Sequence, residues 1–130
     1  MEAVMSGLQA FEKQSYLNLE TFRKTGEGLR TPVWFVEDGG TLYVRTVANS
    51  GKVKRVRRTS RVNVAPCKVD GKLLGDWQPG EAREQLDAET DRRVNALLNK
   101  KYGLMKFLFE IMSKLQRQKY TLLEIKLTRN

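Results

Sequence analysis

The chain has 130 residues, of which 40% are hydrophobic, and this length predicts one domain over residues 1–130 with a core of its own. Its 24 Lys and Arg against 15 Asp and Glu give a net charge of +9, which favours an anionic partner: a phosphorylated small molecule, nucleic acid or anionic lipid. A single cysteine excludes an internal disulfide, and the absence of histidine removes the commonest metal ligand and acid–base group, so no metal site is expected.

The N-terminal segment carries no recognisable targeting signal. It has neither a basic region nor an uninterrupted apolar stretch, and no later segment is long enough and uncharged enough to cross a bilayer. A cytoplasmic protein that does not engage a membrane is therefore expected.

The first part of the chain predicts a short helix and then three strands. Helical spacing of apolar residues opens the chain at Val4, Leu8 and Phe11. The segment Tyr16–Phe22 alternates as a strand does, and Pro32–Val36 is a continuous apolar run, which predicts a strand buried on both faces. The cluster Glu37–Gly40 contains residues that tolerate a positive φ angle, so Thr41–Val47 is expected to return antiparallel to Pro32–Val36.

A second hairpin is predicted further along the chain. The turn residues Val69–Lys72 join Arg61–Ala65 to Leu73–Trp77, and Pro66 marks a bulge or an edge position in the first arm. The last strand, Leu123–Leu127, alternates cleanly and is expected to close the sheet.

Two helices are predicted between these strands. Ser50 is placed to cap a short helix that buries Val53 and Val56 and presents five cations outward: Lys52, Lys54, Arg55, Arg57 and Arg58. After a turn at Pro79–Gly80, a longer helix starts at Asp87 or Thr90, and Gly103 is placed to interrupt it. Three-and-four spacing along that helix is given by Val94, Leu97, Leu98, Lys101, Met105, Leu108, Met112 and Leu115.

The segment Leu104–Met112 has apolar residues on more than one helical face, which is more than one packing surface requires. Two interpretations stay open: contact with a partner subunit, or a helix held between the sheet and a loop. Short antiparallel strands, a brief helix in their middle and a long helix before the last strand together indicate a mainly β chain closed into a small barrel.

The junction Ser50-Gly51-Lys52 is the sharpest candidate site. A strand ends and a helix begins there, so backbone N–H groups, the Ser50 hydroxyl and the ammonium groups of Lys52 and Lys54 could converge on one phosphate. The ordinary alternative is a capped basic helix exposed to solvent. The glycine spacing of a Walker loop is missing, and Gly26-Glu27-Gly28 lacks the third glycine of a dinucleotide fingerprint.

Other chemistry-bearing residues are weaker candidates. Trp34 and Trp77 could line an aromatic pocket, although tryptophan in an apolar strand is more often part of a core. Cys67 has no histidine to activate it, so a small buried side chain is the expected role.

The order and spacing of several segments resemble the flavin/deazaflavin oxidoreductase family related to pyridoxamine 5′-phosphate oxidase, and lean toward its subgroup that uses the deazaflavin coenzyme F420. The main segments are Thr21–Gly26, Thr31–Phe35, Leu42–Thr46 and Ser50–Arg55. Others are Arg57-Arg58, Arg61-Val62, Ala65–Cys67, Gly75–Trp77 and Lys101–Gly103, so the resemblance covers nearly the whole chain.

The resemblance implies a six-stranded antiparallel split β-barrel of the FMN-binding type that forms a homodimer, with coenzyme F420 or FMN in a groove between subunits. The positions that match the family's phosphate contacts are Ser50, Lys52, Lys54 and Arg55; those that match its ring contacts are Thr31, Pro32, Val33, Trp34 and Thr46. The bound cofactor would exchange hydride with a small organic acceptor, and no catalytic residue is assigned. The sequence ends without the Arg- and Trp-containing segment that pyridoxamine phosphate oxidases use for substrate, so vitamin B6 oxidation is not expected.

Two other function classes stay open. The basic segment Lys52–Arg61 would track a nucleic-acid backbone in a binding module, and its affinity would then fall steeply with salt. A non-catalytic cofactor carrier or haem-related protein is the other, although the sequence lacks histidine as an axial ligand.

Overall fold

The structure of the chain is a computed structural model that describes residues 7–116 and 119–128, with the backbone alone for residues 113–116. In these two ranges a 3-10 helix, Gly7–Phe11, precedes seven strands and three helices. The strands are β1 Tyr16–Phe22, β2 Gly28–Val33, β3 Val36–Asp38, β4 Thr41–Val47, β5 Arg61–Cys67, β6 Gln78–Gln85 and β7 Tyr120–Leu127. The helices are α1 Gly51–Arg58, α2 Ala88–Tyr102 and α3 Leu104–Gln116.

All seven strands belong to one antiparallel sheet in the order β2-β1-β5-β6-β7-β4-β3. β7 lies between β6 and β4 and so joins the two halves of the sheet, in agreement with the predicted closing role of the last strand. The mainly β antiparallel barrel architecture with flanking helices is confirmed. Its strand number is seven where six were predicted, because the predicted strand Pro32–Val36 is divided between two strands, β2 and β3.

The core lies on the inner face of this curved sheet, which α1 and the 3-10 helix cover. Alternate residues of a strand point to one face, and the core therefore takes every second residue from the central strands. It contains Leu17 and Leu19 of β1, Leu42 and Val44 of β4, Val62 and Val64 of β5, Leu123 and Ile125 of β7, and Val53 and Val56 of α1. The inward positions predicted for Val53 and Val56 are confirmed.

The predicted strand Pro32–Val36 is wrong in its bounds and its burial. β2 ends at Val33, β3 starts at Val36, and β2 is only half-buried. The physical reason is that β2 is an edge strand paired with β1 alone, where a proline that lacks an N–H donor is tolerated. The hairpin with Thr41–Val47 is confirmed, with Val36–Asp38 as its first arm.

The second predicted hairpin has the right turn and the wrong second arm. The turn is present, since Lys68 N–H donates to the Lys72 carbonyl at 2.9 Å, but Leu73 forms only an isolated bridge with Cys67. β6 is the true partner of β5, and Pro79–Gly80 lies inside it instead of forming a turn. Gly80 suits this strand because a Cβ there would come within 3.0 Å of the Lys126 carbonyl oxygen.

Pro66 occupies the predicted edge position. β5 pairs with β6 only from Arg61 to Val64, so at Pro66 its strand partner is β1 alone, and on the other side the Pro66 carbonyl accepts from Leu74 N–H at 2.8 Å. No N–H donor is required on the other side there.

The long helical segment begins and breaks where the sequence predicted. Asp87 caps α2 by accepting from Thr90 N–H at 3.0 Å, and Gly103, with φ 56°, separates α2 from α3. α2 packs on the outer face of the sheet, where Val94 and Leu98 contact Leu122 of β7 in a second cluster. Two predicted helix positions, Val4 and the side chain of Leu115, lie outside the described residues.

Candidate functional site

The β4–α1 junction holds an unsatisfied hydroxyl. Ser50 occupies the predicted cap position, but within the described ranges its side chain makes no capping bond and its buried Oγ has no hydrogen-bond partner. The first helical bond runs from Lys54 N–H to the Ser50 carbonyl at 3.2 Å, so the N–H groups of Gly51, Lys52 and Val53 precede the helical ladder. A donor-rich, partly desolvated site therefore lies at the start of α1.

Three of the five cations of α1 bond to the barrel. Arg55 Nε donates to Thr21 Oγ1 at 2.6 Å, and Arg58 Nη2 donates to the Phe22 carbonyl at 2.5 Å. Arg57 forms a bidentate pair with Glu84 at 2.8 and 3.0 Å, and this hydrogen bonding lowers the pKa of the Glu84 carboxyl. Arg57 and Arg58 remain exposed, but each of the three side chains uses part of its hydrogen-bonding capacity within the protein.

The first turn of α1 concentrates positive charge where a helix least favours it. A Cβ placed on Gly51 would come within 2.8 Å of Arg55 Nη1, so the guanidinium lies back over the helix start. Burial and the charge of Arg55 lower the pKa of Lys52, and burial with the charges of Arg23 and Arg58 lowers the pKa of Arg55. Because a helix N-terminus is itself positive, a bound anion would relieve this repulsion.

A cavity of about 210 Å³ lies between the outer face of the sheet and the two long helices. Its walls come from Val33 at the end of β2, Trp34 directly after it, Arg45 of β4, Tyr120 of β7, Leu98 of α2, and Lys106, Phe109 and Glu110 of α3. The Trp34 ring stacks on Tyr102 at 4.4 Å and 10°, and meets Phe109 edge-on at 5.1 Å. The cavity is thus largely apolar and aromatic, with a few polar groups.

The end of α2 fixes the chain at the break between β2 and β3. Tyr102 Oη accepts from Phe35 N–H at 3.0 Å and lies 2.8 Å from the Ser15 carbonyl oxygen. Lys101 Nζ donates to the Phe35 carbonyl at 2.8 Å and sits 3.6 Å from the Phe35 ring centroid. Together these contacts set the position of Trp34, which precedes Phe35.

Desolvation perturbs both residues of this contact. It lowers the pKa of the Lys101 ammonium to about 8 and raises the pKa of the Tyr102 hydroxyl to about 12. In the folded chain Lys101 therefore loses its proton at a lower pH than an ordinary lysine, whose pKa is about 10.4.

Lys101 should make stability rise with pH. Between about pH 8 and about pH 10.4, the unfolded chain binds more protons at this lysine than the folded chain, so the free energy of unfolding increases through that window. Below pH 8 the full penalty of burying the charge is present. We expect wild type to gain stability relative to Lys101→Met as the pH rises from 7.5 to 10 in urea titrations. Lys100→Met is the matched removal of one exposed charge, and a constant difference for Lys101→Met would contradict the assignment.

The structure brings some predicted site residues together and separates others. Val33 and Trp34 line the cavity, whereas Ser50, Lys52 and Arg55 gather at the start of α1. The two places are linked through the end of β4: Val47 pairs with Tyr120 of the cavity wall, and Ser50 N–H donates to the Val47 carbonyl at 3.1 Å.

The remaining predicted contacts lie elsewhere around these two places. Thr31 and Pro32 lie on β2 opposite Leu19 and Asn18, and Lys54 is exposed. Thr46 is buried in register with Thr121, one residue before the end of β4.

The sequence analysis missed Arg45, Lys106 and Glu110 as cavity residues. Lys106 was hidden in an apolar helical segment, and only its i, i+4 spacing to Glu110 could have indicated a pair. In the sequence Tyr102 belongs to the matched segment Lys101–Gly103, and no pattern there indicated that it stacks on Trp34.

Two weaker candidates fall outside the cavity. The guanidinium carbon of Arg30 lies 4.9 Å from the centroid of the Trp77 ring, and Trp77 does not line the cavity. Cys67 is buried, and burial with the charge of Asp70 raises the pKa of its thiol, as expected for a structural residue.

None of the helices in the described part of the chain is long and apolar enough to cross a membrane. Neither a protein-family model nor a curated protein sequence matches the chain.

Solved structures do match. A candidate pyridoxamine 5′-phosphate oxidase from Listeria innocua is 19% identical, with a TM-score of 0.62 over 94% of this chain and 90% of that chain. An FAD-binding protein from Mesorhizobium loti is 15% identical, with a TM-score of 0.63 over 93% and 84%. HutZ, the heme storage protein of Vibrio cholerae, is 15% identical, with a TM-score of 0.70 over 94% and 77%. The chain therefore has the antiparallel split-barrel fold of proteins related to pyridoxamine 5′-phosphate oxidase.

Proposed function

We propose that the chain binds a flavin-type cofactor, coenzyme F420 or FMN, and serves as an oxidoreductase that exchanges hydride with a small organic acceptor. The observation that carries the proposal is the buried Ser50 Oγ, which has no partner among the described residues and lies at a helix start beside Lys52 and Arg55. Structural neighbours that include an FAD-binding protein support a cofactor of this class.

The start of α1 fits a phosphate group. A phosphate would accept from Ser50 Oγ, from the leading N–H groups of the helix and from the Lys52 and Arg55 cations. These groups are poorly compensated within the chain, since burial and mutual repulsion lower the pKa values of both cations. In this proposal Lys54 takes a secondary position at the exposed rim.

The cavity fits the edge of a flat ring. Trp34 forms an aromatic wall beside Val33, and Phe109 extends this wall by packing edge to face on Trp34 at 5.1 Å. Since the junction and the cavity meet at the end of β4, one molecule with a phosphate at one end and a ring at the other could engage both.

The chain's own residues act by holding and shielding. When bound, the cofactor supplies the hydride chemistry. Ser50, Lys52 and Arg55 anchor the phosphate, Tyr102 keeps Trp34 against the ring, and the apolar walls exclude water. No side chain is required to move a proton, which is consistent with a sequence that contains no histidine.

We also propose that the protein works as a homodimer with α3 at the interface. α3 has an inverted arrangement: Lys106 faces the fold at 5% exposure, while the large apolar residues between Leu104 and Met112 are 43 to 71% exposed. A helix that turns its apolar side outward indicates that a second surface covers it. A cavity of about 210 Å³ is also smaller than the roughly 300 Å³ at which ligand pockets begin, and a second copy would extend its walls.

The two other function classes gain less support. A nucleic-acid module would present unpaired cations to solvent, but Arg57 is paired with Glu84, and Arg55 and Arg58 donate to Thr21 and to the Phe22 carbonyl. HutZ stores heme, but a chain without histidine would need a different axial ligand.

The phosphate site is tested by titrating FMN and coenzyme F420 into wild type and Lys52→Ala, with binding followed by cofactor fluorescence. Removal of a charge-assisted contact costs about 1.5–3 kcal/mol, so the Kd should rise about ten- to a hundredfold. Lys126→Ala is the matched control: it removes an exposed lysine that pairs with Glu81 at the far end of β7 from Tyr120.

Three outcomes decide the proposal. Tight binding of either cofactor by wild type and the Lys126→Ala variant, lost selectively in Lys52→Ala, supports it and identifies the cofactor. Failure of wild type to bind either one contradicts the function. Equal affinity of Lys52→Ala and wild type contradicts the phosphate site.

A further inference from the structure

The cavity contains a guanidinium whose Nε–H makes no hydrogen bond to the described residues. Arg45 enters it from β4 with its side chain 24% exposed, and its buried Nε finds no hydrogen-bond partner in residues 7–116 or 119–128. Asp91 Oδ1 is the nearby carboxylate at 3.6 Å, which is too long for a hydrogen bond. The Tyr120 ring lies 4.8 Å below the guanidinium carbon.

The other charged groups of the cavity are already paired. Lys106 Nζ donates to Glu110 Oε2 at 2.7 Å, so their charges compensate each other within one turn of α3. Arg45 has only a long contact to Asp91, which is itself 44% exposed. The cavity therefore has an excess of positive charge on the β4 side and an aromatic wall on the Trp34 side.

Burying part of a guanidinium without its hydrogen bonds is costly unless something accepts them. A ligand oxygen with negative charge is the natural acceptor, because a guanidinium binds an oxyanion through two parallel bonds. An aromatic group attached to that oxygen would lie against Trp34 and Phe109, which already pack edge to face.

We propose that this cavity binds a planar conjugated group that carries an acidic oxygen, with the oxygen on Arg45 and the ring against Trp34. The proposal rests on the function proposed above and deepens it: the oxygen belongs either to the hydride acceptor or to the edge of the cofactor ring. Arg45 is a binding residue for that oxygen, and Tyr102 is a positioning residue that acts through Trp34.

The probes are 2-naphthoate and 2-naphthamide, which share a fused ring and differ in the charge of the substituent. Binding to the cofactor-free protein is followed by tryptophan fluorescence and by NMR line broadening of the probe. Naphthoate should bind wild type about ten- to a hundredfold more tightly than naphthamide, as one charge-assisted contact implies.

Arg45→Gln should remove this preference. The naphthoate Kd should rise to that of naphthamide, while the naphthamide Kd stays unchanged because the apolar wall is intact. Arg83→Gln is the matched control. It also removes a guanidinium from the sheet, but Arg83 is exposed, is paired with Glu124 and does not line the cavity. If the role of Arg45 were purely structural, Arg45→Gln would lower the affinity for naphthoate and for naphthamide by the same factor.

A second arm repeats the titration in the presence of saturating FMN. If FMN displaces naphthoate, the oxygen bound by Arg45 belongs to the cofactor ring. If naphthoate binds in the presence of FMN, that oxygen belongs to the hydride acceptor. Equal affinity of the two probes for wild type overturns the proposal, as does a preference that survives in Arg45→Gln. Neither result touches the Lys52 titration, so failure here is distinguishable from failure of the phosphate site.

Discussion

Replacement of Phe35 by alanine should lower the free energy of unfolding by about 3–5 kcal/mol, the usual cost of truncating a buried aromatic residue. Phe35 is 1% exposed, and its ring meets Phe11 edge-on at 5.8 Å. Its backbone also makes hydrogen bonds to Lys101 and Tyr102, so the same residue anchors the break between β2 and β3. Urea unfolding monitored by far-UV circular dichroism measures the loss.

The control for Phe35→Ala is Leu86→Ala. Leu86 is 79% exposed in the connection to α2, so its truncation should change stability by less than about 0.5 kcal/mol. If Phe35→Ala fails to fold, Phe35→Leu keeps most of the apolar volume and should show a smaller loss in the same direction. A loss below about 1 kcal/mol for Phe35→Ala would show that the ring does not fill the core in the way described.

The stability of this segment also bears on the site. Trp34 precedes Phe35 and takes its orientation from Tyr102. Loosening the core at Phe35 should therefore let the Trp34 ring adopt a wider range of orientations. We therefore expect the aromatic wall of the cavity and the core to be coupled through a single pair of neighbouring residues.

Much of the fold follows from local chemistry that a sequence displays. The alternation in Tyr16–Phe22, the turn residues after Val36 and the cap at Asp87 each act within a few residues, and each was predicted correctly. The errors arose where distant partners decide. The apolar run Pro32–Val36 is typical of a central strand. Its first residues lie at the sheet edge instead, because β2 pairs with β1 alone and β1 pairs with β5 on its other side.

The same contrast holds for the site. The Ser50-Gly51-Lys52 junction is contiguous, so its position at a strand end and helix start could be predicted. The cavity is assembled from β4, β7 and the two long helices, and nothing in the sequence near Arg45 announces that Lys106 will lie across from it. The burial of Lys106 in an apolar helix is explained by the cavity, where Lys106 pairs with Glu110.

The inverted polarity of α3 is the strongest sign of a missing partner surface. Lys106 and Glu110 pair on the inner side of the helix, so its apolar residues are left facing out: Leu104, Phe107, Leu108, Ile111 and Met112 recur at three-and-four spacing. A monomer would expose this stripe to water at a hydrophobic cost. In the proposed dimer a second copy presenting the same stripe would cover both, which is the symmetry of a two-fold dimer.

The double variant Phe107→Glu with Leu108→Glu should convert the proposed dimer to a monomer. Burial of unpaired carboxylates costs several kcal/mol, and about 1.4 kcal/mol is tenfold, so dimer affinity should fall more than about a hundredfold. Light scattering after gel filtration should give twice the chain mass of 15.0 kDa for wild type and once that mass for the variant. Ala96→Glu with Asn99→Glu adds the same charges to the exposed side of α2 and should stay dimeric. A monomeric wild type would contradict the dimer, and a dimeric variant would move the interface away from α3.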